Sequence, residues 1–175
     1  MRRKKIGLFR LFPVILLLLI SSCRTTQTGS ADESCTGPAE LLRSGVYGPR
    51  TLQGSSAAWI TDPTTLNQVY TLLDKYQTGK SEALTDIDFD TYGILFIEMG
   101  RQPTGGYSID FVPSQSRVVE KKAFICISWN TPKVGAVLTQ VVTSPFMLLK
   151  ICRSGIASIV VIDQNERPLF ETAIN

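Results

Sequence analysis

The chain begins with a cluster of cations, Arg2, Arg3, Lys4, Lys5 and Arg10, followed by the almost wholly apolar run Leu11–Ile20, interrupted only at Pro13. A run of that length with such flanks is too short to span a bilayer and reads as a secretory leader, residues 1–22. Residues 23–36 have no apolar period and predict a flexible tether. Between Gly37 and Ser56, Leu41, Leu42, Val46, Tyr47 and Leu52 are scattered among Gly37, Pro38, Gly45, Gly48, Pro49 and Gly54, enough to dock on a sheet but too broken for a long element. Ala57–Thr61 predicts a first strand. Asp62 then offers a helix N-cap with Pro63 at the first helical position. Leu66, Val69, Tyr70, Leu72, Leu73 and Tyr76 follow at helical spacing, which predicts an amphipathic helix ending near Gly79.

Beyond the helix the period becomes two. Tyr92–Met99 is apolar on both faces and predicts a central strand. Tyr107, Ile109 and Phe111 alternate with polar residues and mark the next. Val118–Trp129 predicts one long strand with Phe124, Cys126 and Ser128 opposite Ile125, Ile127 and Trp129. Asn130–Pro145 is a long connection, after which Phe146–Cys152 and Ala157–Asp163 predict two further strands. The expected architecture is α+β: one domain over residues 37–175, a mostly antiparallel sheet of five to six strands with one main amphipathic helix packed on it.

Ser21 and Ser22 stand directly before Cys23 behind the apolar run, an arrangement that resembles the bacterial lipobox. The resemblance implies that Cys23 is acylated, becomes the mature N-terminus and holds the protein at the cell envelope through its lipid. Arg24 is not the acidic retention signal of inner-membrane lipoproteins, which points to an outer membrane where the cell has one. Charge changes with this processing. The leader holds five of the 18 basic residues and none of the 15 acidic ones, leaving 13 basic against 15 acidic, a net charge of −2. The composition-level case for a nucleic-acid partner goes with the leader.

Cys35, Cys126 and Cys152 then remain in an oxidising compartment. Cys35 falls in the tether while Cys126 and Cys152 fall in strands, so these two are the expected bridge. The chain has no histidine, which excludes imidazole acid–base chemistry, His-containing triads and His metal sites. Its carboxylates form no paired motif. Asp86, Asp88 and Asp90 imitate the start of a calcium loop, but Thr91 replaces the required Gly and Ile97 the required Glu, so they read as a solvated turn. No catalytic residue, metal or cofactor is assigned, and the chain is not expected to be an enzyme.

The most distinctive stretch is Gly100–Ile109, GRQPTGGYSI. A proline and two glycines before an opening strand predict a tight turn needing backbone conformations open to Gly. A phosphate-binding reading fails because a strand, not a helix, follows the glycines.

Taken with Thr131–Gly135 (TPKVG), Gln140 and Thr143–Ile151 (TSPFMLLKI), and with the acid–Phe step at Asp88 and Phe89, this turn resembles the PrcB C-terminal domain family over roughly residues 59–163. The family's GxxPTGGY turn, P-x-x-G loop, Q-x-x-T-x-P segment and closing strand occur here in order. The resemblance implies a secreted or lipid-anchored accessory protein that assembles or stabilises a surface protease complex, with no catalytic residues to carry over. Loops on a rigid sheet commonly carry recognition surfaces. Pro103, Thr104, Gly105, Gly106, Tyr107, Gln140, Thr143 and Pro145 are therefore the candidate contacts for a protein partner, an envelope or secreted protein such as a protease. The competing expectations are a small-ligand binder or a hydrolase using carboxylates, which needs a pocket lined by Thr104, Tyr107 and at least one buried acid, and a structural envelope lipoprotein without a protease partner.

Overall fold

A computed structural model describes residues 37–49, 53–76 and 87–174. The leader, the Cys23 lipid site, the tether and Asp86 lie outside the described residues. In chain order the elements are β1 (Glu40–Gly45), β2 (Ser56–Ile60), α1 (Pro63–Asp74), β3 (Tyr92–Glu98), β4 (Ser108–Phe111), β5 (Arg117–Val119), β6 (Lys122–Asn130), β7 (Phe146–Cys152), β8 (Ser158–Ile162) and β9 (Pro168–Ala173).

The strands form two sheets, not the single one that the sequence predicts. One runs β1-β7-β3-β2, and the other runs β4-β6-β8-β9 with β5 paired to β6. Side-chain alternation explains how they stack. Leu95 and Ile97 of β3 and Met147, Leu149 and Ile151 of β7 meet Ile109, Ala123, Ile125, Ile127, Ile159 and Val161 of the second sheet in one buried core. The intervening residues of β3 and β7, Ile94, Phe96, Phe146 and Leu148, face the other way and are covered by Leu66, Tyr70 and Leu73 of α1. The result is three layers, helix on sheet on sheet, and it accounts for a β3 that is apolar on both faces.

The helix starts as its sequence requires. Asp62 is extended and its carboxylate accepts from the Thr65 amide at 2.9 Å, with Pro63 opening the first turn. It ends at Asp74, earlier than the periodicity suggests.

Two further sequence expectations are corrected. The stretch expected as one strand from Val118 to Trp129 is a hairpin, because Glu120 and Lys121 both take positive φ, 49° and 64°, and turn β5 onto β6. That is the two-residue turn geometry whose twist suits a hairpin, here without the Asn-Gly or Asp-Gly that announces it. Pairing is mostly antiparallel, as expected; β6 and β8 are parallel because the chain crosses to the other sheet through β7 between them. Finally, Cys126 is a free, buried thiol and makes no bridge to Cys152. Cys126 faces outward from the second sheet with Val160 and Ile162, whereas alternation along β7 turns Cys152 outward from the first. With two sheets between them, about 10 Å apart, they cannot reach the roughly 5–6 Å Cα separation of a disulfide. Cys152 is disulfide-bonded, but not to Cys126.

Candidate functional site

At one end of the sandwich the turn after β3 meets the long connection between β6 and β7. Gln102 and Thr143 exchange both backbone hydrogen bonds, at 2.8 and 3.0 Å, as an antiparallel bridge outside either sheet. Further along, the Gly105 amide donates to the Thr139 carbonyl at 3.0 Å, and the Thr143 hydroxyl donates to the Thr104 carbonyl at 2.9 Å. The Gln102 side-chain amide closes its own turn on the Met99 carbonyl.

Glycine is needed here for two reasons. Gly106 has φ +87°, and a Cβ on it would stand 2.9 Å from Leu138 Cδ2 and 3.3 Å from Pro132 Cγ, so the connection folds directly onto it. Gly100 has φ +71° and lies against the Gly54 backbone, which brings the segment before β2 to the same end.

The exit of the connection is clamped as firmly. Ser144 is fully buried; its amide donates to Val46, its carbonyl accepts from Gly48 and its hydroxyl donates to the Pro49 carbonyl. The Pro145 carbonyl accepts from the Met99 amide at 2.8 Å.

Between these fixed ends the connection projects outward. The Ala136 amide donates to the Lys133 carbonyl at 3.1 Å, and Gly135 takes φ +81°, so Lys133–Ala136 is a tight turn at the tip. Val134 and Val137 on it are as exposed as in an extended peptide, at 106% and 103%. Val141 is 44% exposed.

The residues singled out in the sequence are thus brought together, in two different roles. Gly105, Thr143 and Pro145 are buried and hold the two loops to each other and to the sheets. Tyr107 is half-buried against the inter-sheet core. Pro103, Gly106 and Gln140 are exposed, and Thr104 is half-buried. Sequence reasoning missed Val134 and Val137, whose signal was aliphatic residues in a segment that forms no strand. It also missed Gln102, Leu138 and Thr139, which make the loop-to-loop contacts.

Two other polar features lie nearby. Glu98, at the end of β3, is 3% exposed; Oε1 accepts from the Ser56 hydroxyl at 2.9 Å, while Oε2 has no hydrogen-bond partner among the described residues. Burial raises its pKa above the usual carboxylate value, and the Ser56 hydrogen bond opposes that rise. At the base of the connection Asp110 accepts from Ser108 and from the Asn130 side-chain amide. Among the described residues no group of three or more cysteines and carboxylates is placed to hold a metal. Asp88 instead uses both carboxylate oxygens within its own turn, on the Asp90 amide and the Thr91 hydroxyl.

Residues 94–152 match the family model described as PrcB C-terminal. That segment is similar to the PrcB C-terminal domain. It reaches from β3 to the end of β7 and encloses both of the paired loops, a narrower span than the resemblance read from sequence. No curated protein and no solved structure shows significant similarity to the chain.

Proposed function

We propose that this chain is a protein-binding subunit of a protease complex, held at the cell envelope by lipid on Cys23, and that it grips its partner through the tip of the connection between β6 and β7. The family supports association with a protease complex. The observation that carries the reading is the exposure of Val134 and Val137 on a loop pinned at both ends. Leaving two aliphatic side chains wholly in water forgoes on the order of 1.5–3 kcal/mol each, which burial in an interface recovers. The clamps at Gln102–Thr143 and Ser144 anchor the exit of the connection, which lowers the ordering entropy lost on docking.

A small-ligand site needs concavity beside Thr104 and Tyr107. Neither the cavity along α1 at Thr64, Asn67 and Leu72 nor the one at Gln53, Arg101, Pro103 and Val142 is lined by Thr104, Tyr107 or a buried acid.

The test is co-purification of the lipoprotein from mildly crosslinked envelope, comparing wild type with a Val134→Ser, Val137→Ser variant. A discrete protein retained by wild type and lost from the variant supports the reading. Equal retention by both, or none by either, refutes it.

A further inference from the structure

We propose that the cleft at the foot of the projecting loop takes an acidic segment of the protein partner, a carboxylate side chain flanked by aliphatic residues. This rests on the protein-binding reading above and specifies the chemistry of the partner.

The cleft is about 380 Å³ and is lined by Gln53, Arg101, Pro103 and Val142. It is therefore assembled from three segments: the approach to β2, the turn after β3 and the end of the connection. Its volume is at the small end of the roughly 300–1,000 Å³ of ligand pockets, which suits one side chain with its flanking backbone.

Charge gives the occupant's sign. Arg43, Arg117, Lys122 and Lys150 each have a carboxylate within ion-pair distance. Arg101 and Lys133, both exposed, have none among the described residues. Residues 100–107 and 130–145 contain these two cations and no Asp or Glu at all, in a chain whose processed form carries more acidic than basic residues. Glu98 is buried behind this end and engaged with Ser56, and Asp110 is engaged with Ser108 and Asn130.

The chemistry of the walls gives the rest. A guanidinium bordered by Pro103 and Val142 meets a carboxylate with less competition from water, and its planar fork can bind both oxygens. The Gln53 amide is a second donor at the rim. Val142 and Pro103, in the walls of the cleft, call for aliphatic neighbours on the bound segment. Two cations are too few to hold a nucleic-acid backbone against physiological salt.

The experiment is to pass the full chain, in detergent micelles, over an array of random-sequence heptapeptides and read the composition of those retained. The expected result is enrichment of Asp or Glu beside Leu, Ile or Val. That enrichment should be lost in Arg101→Glu and in Arg101→Gln, and retention should weaken several-fold as salt is raised. Neutral or basic peptides retained by wild type, or acidic enrichment unchanged in both Arg101 variants, would overturn the proposal. If those peptides are nonetheless lost in the Val134→Ser, Val137→Ser variant, the binding surface stands and only its assigned chemistry falls. Absence of any retention, or retention indifferent to every variant, removes the surface as well.

Discussion

Gln102 and Thr143, 41 positions apart in the sequence, pair backbone to backbone through two hydrogen bonds of 2.8 and 3.0 Å. That bridge joins the two loops that carry the PrcB motifs and makes them one rigid unit. Gly106 is where the unit is most easily broken. Gly106→Ala places a Cβ against Leu138 and Pro132 at φ +87°, at a cost of about 1–3 kcal/mol. The strain should be relieved locally. Hydrogen exchange is expected to quicken at the Gly105 and Thr143 amides and to stay unchanged at Leu95 and Leu149 in the central strands.

Glu98 gives the fold a pH dependence of unusual sign. Its pKa is raised in the folded state by burial, so the folded state holds the proton more tightly than the unfolded chain does. Stability from this group is complete below the unfolded carboxylate value, about 4.3, and is lost as pH rises through the higher folded value. Glu98→Gln keeps an acceptor for Ser56 and removes the titration. The variant is expected to melt higher than wild type at pH 7 and to lose that advantage near pH 4, as read by thermal denaturation across pH.

Adjacent leucines in α1 test the layer arrangement. Leu73 is fully buried against the first sheet and Leu72 is 37% exposed. Leu73→Ala should cost about 2–5 kcal/mol and Leu72→Ala less than about 1 kcal/mol, measured by urea unfolding.

Cys126 should behave as a core residue. Its thiol is fully buried, donates to the Gln115 side-chain carbonyl at 3.2 Å and is pushed up in pKa, first by burial and then by Asp163. It should resist alkylation in the native protein at pH 8 and react once the chain is unfolded, without any prior reduction, by mass spectrometry.

Local chemistry explains which parts of this architecture were legible beforehand. Asp62-Pro63 and the leucine spacing announce α1 because caps and helical period are encoded within a dozen residues. β3 is equally plain, since a strand covered on both faces must be apolar throughout. The second sheet was not legible. Alternation shows that Ile125 and Ile127 share a face but not whether a helix or another sheet covers it. The β5–β6 turn was hidden because Glu120 and Lys121 adopt positive φ without the usual turn residues.

β1 and β9 escaped for related reasons. β1 holds on to β7 across a bulge between Leu41 and Arg43, and β9 alternates only weakly around Glu171. The cysteine pairing failed because both residues lie in strands, yet on opposite outer faces of the sandwich. At the candidate site the glycines and Pro103 marked the turn correctly. The exposure of Val134 and Val137 depends on where the 15-residue connection between β6 and β7 is pinned, and that is set by partners more than 30 residues away in sequence, in the segments after β1 and β3.

Photo-crosslinking at position 137 tests the central claim most directly. A photoreactive phenylalanine analogue replaces Val137 in the full chain in its native envelope, with the same replacement at the exposed Thr71 on α1 as the control. A single discrete protein adduct from position 137 and none from position 71 is the predicted result. No adduct from position 137, or the same adducts from both positions, would contradict a partner held at the loop tip.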